Sequence, residues 1–253
     1  MKKTILLGLV LTTLLLAGTA WATKGTIGLG VGVAPDYEGS SDNQAVPMIM
    51  FNHRYNSGRF VNLMGFNMRV NLLASENYSL GPALNYRQGR DDVDNSRVDA
   101  MRDIDDAFEA GVFGGIDVNN LLLGIEFLAD VSSEHEGYTT QATAGYRWKA
   151  TPELTITPGA FITYADGDYM GTYFSVNDGN RGGSGFSDYT ADSGLKDAGI
   201  SLLANYTPWQ NYGIMGVLSY KSLLNDAKDS PLVDVGDDKQ MFFGVMGTYR
   251  WEN

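Results

Sequence analysis

Leu121–Val131 reads LLLGIEFLADV, and its alternation decides the fold. Leu121, Leu123, Ile125, Phe127, Ala129 and Val131 fall on one face, while Leu122, Gly124, Glu126, Leu128 and Asp130 fall on the other. A two-residue period with every charge on one side describes a strand between two different environments. The pattern recurs along the chain. Tyr78, Leu80, Pro82, Leu84 and Tyr86 alternate with Ser79, Gly81, Ala83, Asn85 and Arg87. Phe66, Met68, Val70 and Leu72 stand against Asn67, Arg69 and Asn71. Phe243, Val245, Gly247, Tyr249 and Trp251 stand against Thr248 and Arg250.

Two details favour a lipid-embedded barrel over a soluble sandwich. Aromatic residues cluster at the ends of the apolar faces, as in Tyr138 with Tyr146 and Trp148, or Tyr206 with Tyr212 and Tyr220. Interface girdles lie at such ends. The opposite faces carry Gly, Thr, Asn, Arg and Glu, which suit a polar lumen better than the contact between two sheets. Pro82 and Pro158 are awkward in either arrangement.

Twelve strands follow, near 24–34, 44–55, 59–64, 66–74, 77–88, 107–118, 121–132, 138–149, 153–164, 197–207, 211–222 and 239–251. Short turns such as Asn119-Asn120 alternate with longer loops, notably 89–106, 165–196 and 223–238. This predicts an all-β, transmembrane, antiparallel up-and-down barrel with long extracellular loops and short periplasmic turns. The third and fourth strands meet in a very tight turn at Gly65; merged into one, they give ten strands as the alternative.

The rest of the chain bounds the compartment. Residues 1–22 carry Lys2 and Lys3, an apolar run and Ala20-Trp21-Ala22, the pattern of a cleaved signal peptide. That leaves a barrel domain over 23–253. The chain has no cysteine, so no disulfide framework is available. Its net charge of −12 argues against nucleic acid as a partner. After the first 22 residues no apolar run approaches the ~20 residues of a spanning helix.

Functional candidates lie in the lumen and the loops. Arg54, Arg69, Arg87, Arg147 and Arg250 are expected to point inward with Glu109, Asp117, Glu126, Asp130 and Asp197. Such a network either plugs the barrel or lines a narrow channel or pocket. In loop 165–196, Tyr169, Tyr173, Phe174, Phe186 and Tyr189 sit among glycines and aspartates. They are expected either to form a recognition surface or to fold in and close the mouth. The acidic stretch 90–106 reads as a solvated loop, with divalent cations shared with lipopolysaccharide as the alternative. Pro231, Leu232 and Val233 are expected to fold back onto the mouth. His135 reads as a solvated loop residue and His53 as an interfacial one; neither has metal-site spacing. No catalytic residue, cofactor or metal is expected.

Four segments resemble the MipA/OmpV family of outer-membrane proteins: APDYEGS (34–40), GPALNYRQGRD (81–91), TPGAFITYAD with YMGTYFSV (157–176), and DAKDSPLVD (226–234). The resemblance spans essentially the whole chain after residue 22. It implies a non-enzymatic barrel in the bacterial outer membrane, in contact with lipid and lipopolysaccharide. One member of the family is a scaffold for a murein lytic transglycosylase and a murein synthase; others are linked to adhesion or to responses to environmental compounds. The corresponding alternatives are a surface-exposed adhesin or ligand-binding protein, or a small-solute channel. One departure is the C-terminus, where Glu252 and Asn253 follow Trp251 in place of a terminal aromatic residue.

Overall fold

A computed structural model describes residues 23–252. The stretch 1–22, expected to be a signal peptide, lies outside the described residues. The strands are β1 (Thr23–Pro35), β2 (Asn43–Tyr55), β3 (Phe60–Met64), β4 (Asn67–Asn71), β5 (Tyr78–Arg87), β6 (Ala107–Val118), β7 (Leu121–Asp130), β8 (Tyr138–Tyr146), β9 (Trp148–Lys149), β10 (Leu154–Ala165), β11 (Gly194–Tyr206), β12 (Tyr212–Leu223) and β13 (Lys239–Glu252). Sequential strands pair antiparallel, and β1 pairs with β13. The sheet therefore closes, every strand but β9 being paired on both sides over at least part of its length, as backbone in lipid requires. Two-residue β9 continues β8 past a break at Arg147 and pairs with β10, so the wall is a twelve-stranded barrel with one extra strand. Gly65, at φ +59, makes the β3–β4 turn, which removes the ten-strand alternative.

The outward face is apolar, with Leu29 66% and Val31 71% exposed. Tyr78, Tyr146, Trp148, Tyr206, Tyr212 and Tyr249 are exposed near the turn end, and Phe108 and Tyr220 near the loop end. Inward on one side, Met48, Met50, Met215 and Met246 pack as a cluster with Phe242 against it. Glycines on β1 make the space for these thioethers: a Cβ at Gly28 would come within 2.7 Å of the Met246 sulfur. Flexible methionine fills this irregular interior as branched residues would not.

Three strand prolines lie where regular pairing with one neighbouring strand stops or breaks. Pro82 is one residue beyond Ala83, which closes the β4–β5 ladder. Pro158 falls between the β10 segment paired with β9 and the segment paired with β8. Pro47 lies on β2 beyond the last residue paired with β3. A missing N–H costs little at such positions.

Over the loop end the connections fold into a cap with its own core. It holds four short helices, α1 (Ser96–Asp99), α2 (Gly167–Phe174), α3 (Asn225–Lys228) and α4 (Pro231–Asp234). Asp166 caps α2 by accepting the Tyr169 N–H and also takes the Tyr138 N–H at 2.9 Å. Tyr169, Met170, Phe174, Leu223 and Leu232 are fully buried. Ser230 caps α4 and donates its hydroxyl to the Phe174 carbonyl at 2.6 Å, tying two loops together. Pro231–Val233 thus folds back as expected. Loop 90–106 is corrected: Val93, Val98 and Met101 are buried in the cap, so the stretch is not simply solvated.

A Cβ at Gly30 would overlap the Val245 carbonyl oxygen, whereas one at Gly247 meets nothing within 4 Å. Gly30→Val is therefore expected to destabilise the barrel by at least about 1–3 kcal/mol, and Gly247→Ala to leave it unchanged. Heat-modifiable gel mobility of the two refolded variants measures this; equal unfolding temperatures would contradict the packing.

Candidate functional site

Polar side chains cross the lumen in tiers. Nearest the turns, Arg147 pairs with Asp117 at 2.8 Å, and Arg54 lies 4.8 Å over the Phe60 ring. Above them Arg69 grips Glu126 through two bonds, at 2.6 and 3.0 Å, and Asn67 donates to the same carboxylate at 3.1 Å. Next, Glu109 accepts from Arg87 at 2.7 Å, from Asn85 at 2.7 Å and from His135 at 3.1 Å. The Gly137 N–H donates to His135 Nδ1, so Nε2 carries the proton shared with Glu109.

The uppermost tier is a knot around Glu38, from the first loop. It accepts from Lys196 at 2.6 Å, from Lys221 at 2.8 Å and from the Tyr169 hydroxyl at 2.8 Å. Lys196 also bonds Asp197 at 2.6 Å. Neighbouring residues of a regular strand face opposite ways. Here the β10–β11 register slips between Thr163 and Tyr164, and the resulting bulge turns both Lys196 and Asp197 inward. One carboxylate thus joins the first loop, β11, β12 and α2. Burial works against the charge of Glu38, but Lys196, Lys221 and Arg87 outweigh it and hold the carboxyl well below its ordinary 4.5. Burial raises the Tyr169 hydroxyl, so it remains a donor at neutral pH.

The structure brings Arg69 to Glu126, Arg87 to Glu109, Arg147 to Asp117 and Asp197 to the knot. Two expected members stand apart. Asp130 turns back at its strand end and accepts the N–H groups of Ser132, Glu134, His135 and Glu136, so it shapes a loop. Arg250 donates to the Gln210 carbonyl at the turn end. The aromatic recognition surface is also corrected. Tyr169, Tyr173, Phe174 and Phe186 are buried in the cap, and the half-buried Tyr189 donates to the Asp226 carbonyl. His135 is buried between Tyr169 and Tyr173 rather than solvated. Both its nitrogens are engaged, which leaves neither free to activate a nucleophile. Glu38, Lys196 and Lys221 are not among the candidates read from the sequence: a loop residue and a bulge carry no local signal. Lys221 alone was legible, on the inward parity of β12.

The lumen is open only in part. A vestibule of about 530 Å³ at the turn end is bordered by Arg54, Arg69, Phe113 and Arg147. A second cavity, about 300 Å³, lies between the Arg69–Glu126 pair and the knot. Above it the cap covers the mouth.

The family described as MltA-interacting protein MipA matches residues 27–251, and the chain belongs to it. No curated protein sequence matches the chain. Among solved structures, the translocator domain of the autotransporter NalP from Neisseria meningitidis is 9% identical, with a TM-score of 0.43 over 96% of this chain and 92% of that one. OmpT of Vibrio cholerae is 9% identical, with a TM-score of 0.39 over 92% and 99% of the two chains. The N-terminal barrel domain of Pseudomonas aeruginosa OprF is 14% identical, with a TM-score of 0.30 over 69% and 98%.

The depressed value of Glu38 sets a pH dependence. A carboxyl held below its unfolded value stabilises the fold above that value and stops doing so as the pH falls through the folded value. Glu38→Gln is expected to cost on the order of 3 kcal/mol at pH 7. The difference from wild type should shrink as the pH falls below 4.5. Urea midpoints at pH 7 and at successively lower pH give the comparison; a deficit that does not change with pH would contradict the knot.

Proposed function

We propose that this MipA-family barrel is a non-enzymatic, non-conducting platform in the outer membrane that holds murein-remodelling enzymes at its periplasmic face. Closure at one end only carries the reading. The loop end is covered by packed helices over a tier of fixed ion pairs, while the turn end opens into the vestibule. A protein built to pass solutes or present loops to the outside has little use for that polarity. Charge supports the same direction. The turn end gathers Lys24, Arg54, Arg59, Arg147, Lys149 and Arg250 against Glu76, Asp117, Glu153 and Glu252, in a chain whose net charge is −12. Such a basic face suits an acidic partner surface. The family description names MltA as an interactor; a murein lytic transglycosylase and, with it, a murein synthase are the partners proposed here. The same chain would meet outer-membrane lipid along its apolar band and lipopolysaccharide at the acidic loop end.

The test is capture of a murein lytic transglycosylase by the barrel in nanodiscs. Replacing Arg54, Arg59 and Lys149 with glutamate is expected to weaken capture at least tenfold. Replacing residues 177–188 of the cap with a short Gly-Ser turn is expected to leave it unchanged. Loss of capture on the cap change, with the turn-end variant unaffected, would contradict the proposal and favour a loop-facing binding role.

A further inference from the structure

The β3–β4 hairpin is shorter than the strands beside it. β2 is paired with β3 only from Met50 to Arg54, yet it continues to Asn43 on the loop side. The hairpin tip is closed by Gly65 N–H to the Ile49 carbonyl and by Tyr86 N–H to the Phe66 carbonyl. Beyond that tip the wall between β2 and β5 has no strands. Ile49 turns its backbone toward the hairpin, so Pro47, Ala45 and Asn43 turn theirs toward the gap. Pro47 has no N–H to leave unpaired there. Three strand spacings separate β2 from β5, roughly 14 Å between backbones. The outward residues on the β2 side are apolar, with Val31 and Val33 of β1 beside Pro47 and Ala45. The gap thus opens at the loop edge of the lipid-facing band.

Behind the gap lies a cavity of about 290 Å³, bordered at the gap by Gln44, Phe66, Tyr86 and Gln88. Tyr37, Arg90 and Tyr173 also border it, and they are only 7%, 5% and 8% exposed. Among the described residues the hydroxyls of Tyr37 and Tyr173 make no hydrogen bond, the candidate partner of Tyr37 being the Ser40 side chain. The Arg90 guanidinium donates to the Tyr173 carbonyl at 3.4 Å and, among the described residues, forms no ion pair. Burial lowers Arg90 to about 10, which leaves it cationic at neutral pH. The acids nearby are committed or distant. Glu38 belongs to the knot, Asp36 accepts the Asp94 N–H at 3.0 Å, and Asp103 acts on Arg90 only from beyond ion-pair range. Buried donors ordinarily have acceptors, and a buried cation ordinarily has an anion. The matching chemistry is an oxyanion that Arg90 can hold through two N–H groups while the phenols donate to it.

We infer that this cavity binds the carboxylate or phosphate head of an amphiphile that enters from the membrane through the gap above the β3–β4 hairpin. Its hydrocarbon chain would rest against the apolar rim at Pro47 and Phe66. This site is separate from the turn-end face proposed for protein partners.

The test uses the folded barrel in uncharged detergent, titrated calorimetrically with dodecanoate, dodecyl phosphate, acetate and inorganic phosphate. The dodecyl anions are expected to bind one per barrel, and acetate and inorganic phosphate at least tenfold more weakly. Arg90→Gln is expected to weaken binding at least tenfold. The Tyr37→Phe/Tyr173→Phe double variant removes only unpartnered hydroxyls, so it should keep the folded gel mobility and lose at least tenfold in affinity. Amphiphile binding unchanged in the double variant, or no saturable binding, would overturn the site. Acetate and phosphate binding as tightly as the dodecyl anions would overturn entry from the membrane.

Discussion

The outer half of this barrel depends on one carboxylate. Glu38 reaches down from the first loop and is shared by Lys196, Lys221 and Tyr169, which belong to β11, β12 and α2. Without it, the two lysines below the cap would share Asp197 alone, at 2.6 and 3.6 Å. With it, a loop, two wall strands and the lid become a single unit. Breaking such a pair leaves a buried charge uncompensated, which is why one substitution can loosen the whole cap. The same principle repeats below: Glu109 gathers Arg87, Asn85 and His135, and Glu126 gathers Arg69 and Asn67. Most of the lumen charges are matched across it, Arg54 excepted, so rigidity and closure come from the same side chains.

The wall was legible in the sequence because lipid and a polar lumen impose opposite chemistry on alternate residues. Leu121–Asp130 shows this directly: Leu123, Ile125 and Phe127 are exposed outward while Glu126 is buried inward. The pairs Arg69–Glu126, Arg87–Glu109 and Arg147–Asp117 follow from the same parity. Parity fails where the backbone leaves the regular pleat. The bulge at Lys196 sends two neighbours inward, and Asp130 at its strand end serves the following loop. The cap was less legible, because Tyr169 and Phe174 have the same composition whether they face solvent or pack on Leu223 and Val233. Burial there is decided by contacts about fifty or more residues apart in sequence, which no local pattern records.

The two ends of the molecule are built for different surroundings. The loop end is acidic and carries a packed core under its charges; the turn end is basic, thin and open. The short β3–β4 hairpin adds a second opening, in the side wall, where Pro47 lies beyond the last residue paired with β3. The proposed platform role and the inferred amphiphile site use different openings, and the closed cap separates both from the extracellular side.

In the proposed platform, the cap and the Glu38 knot seal the lumen. Single-channel recording of the refolded protein in a planar bilayer tests it most directly. No steps are expected from the intact, inserted barrel, and discrete steps are expected once Glu38→Gln is combined with removal of the cap segment 177–188. Steady ion-selective conductance from the intact protein would contradict it.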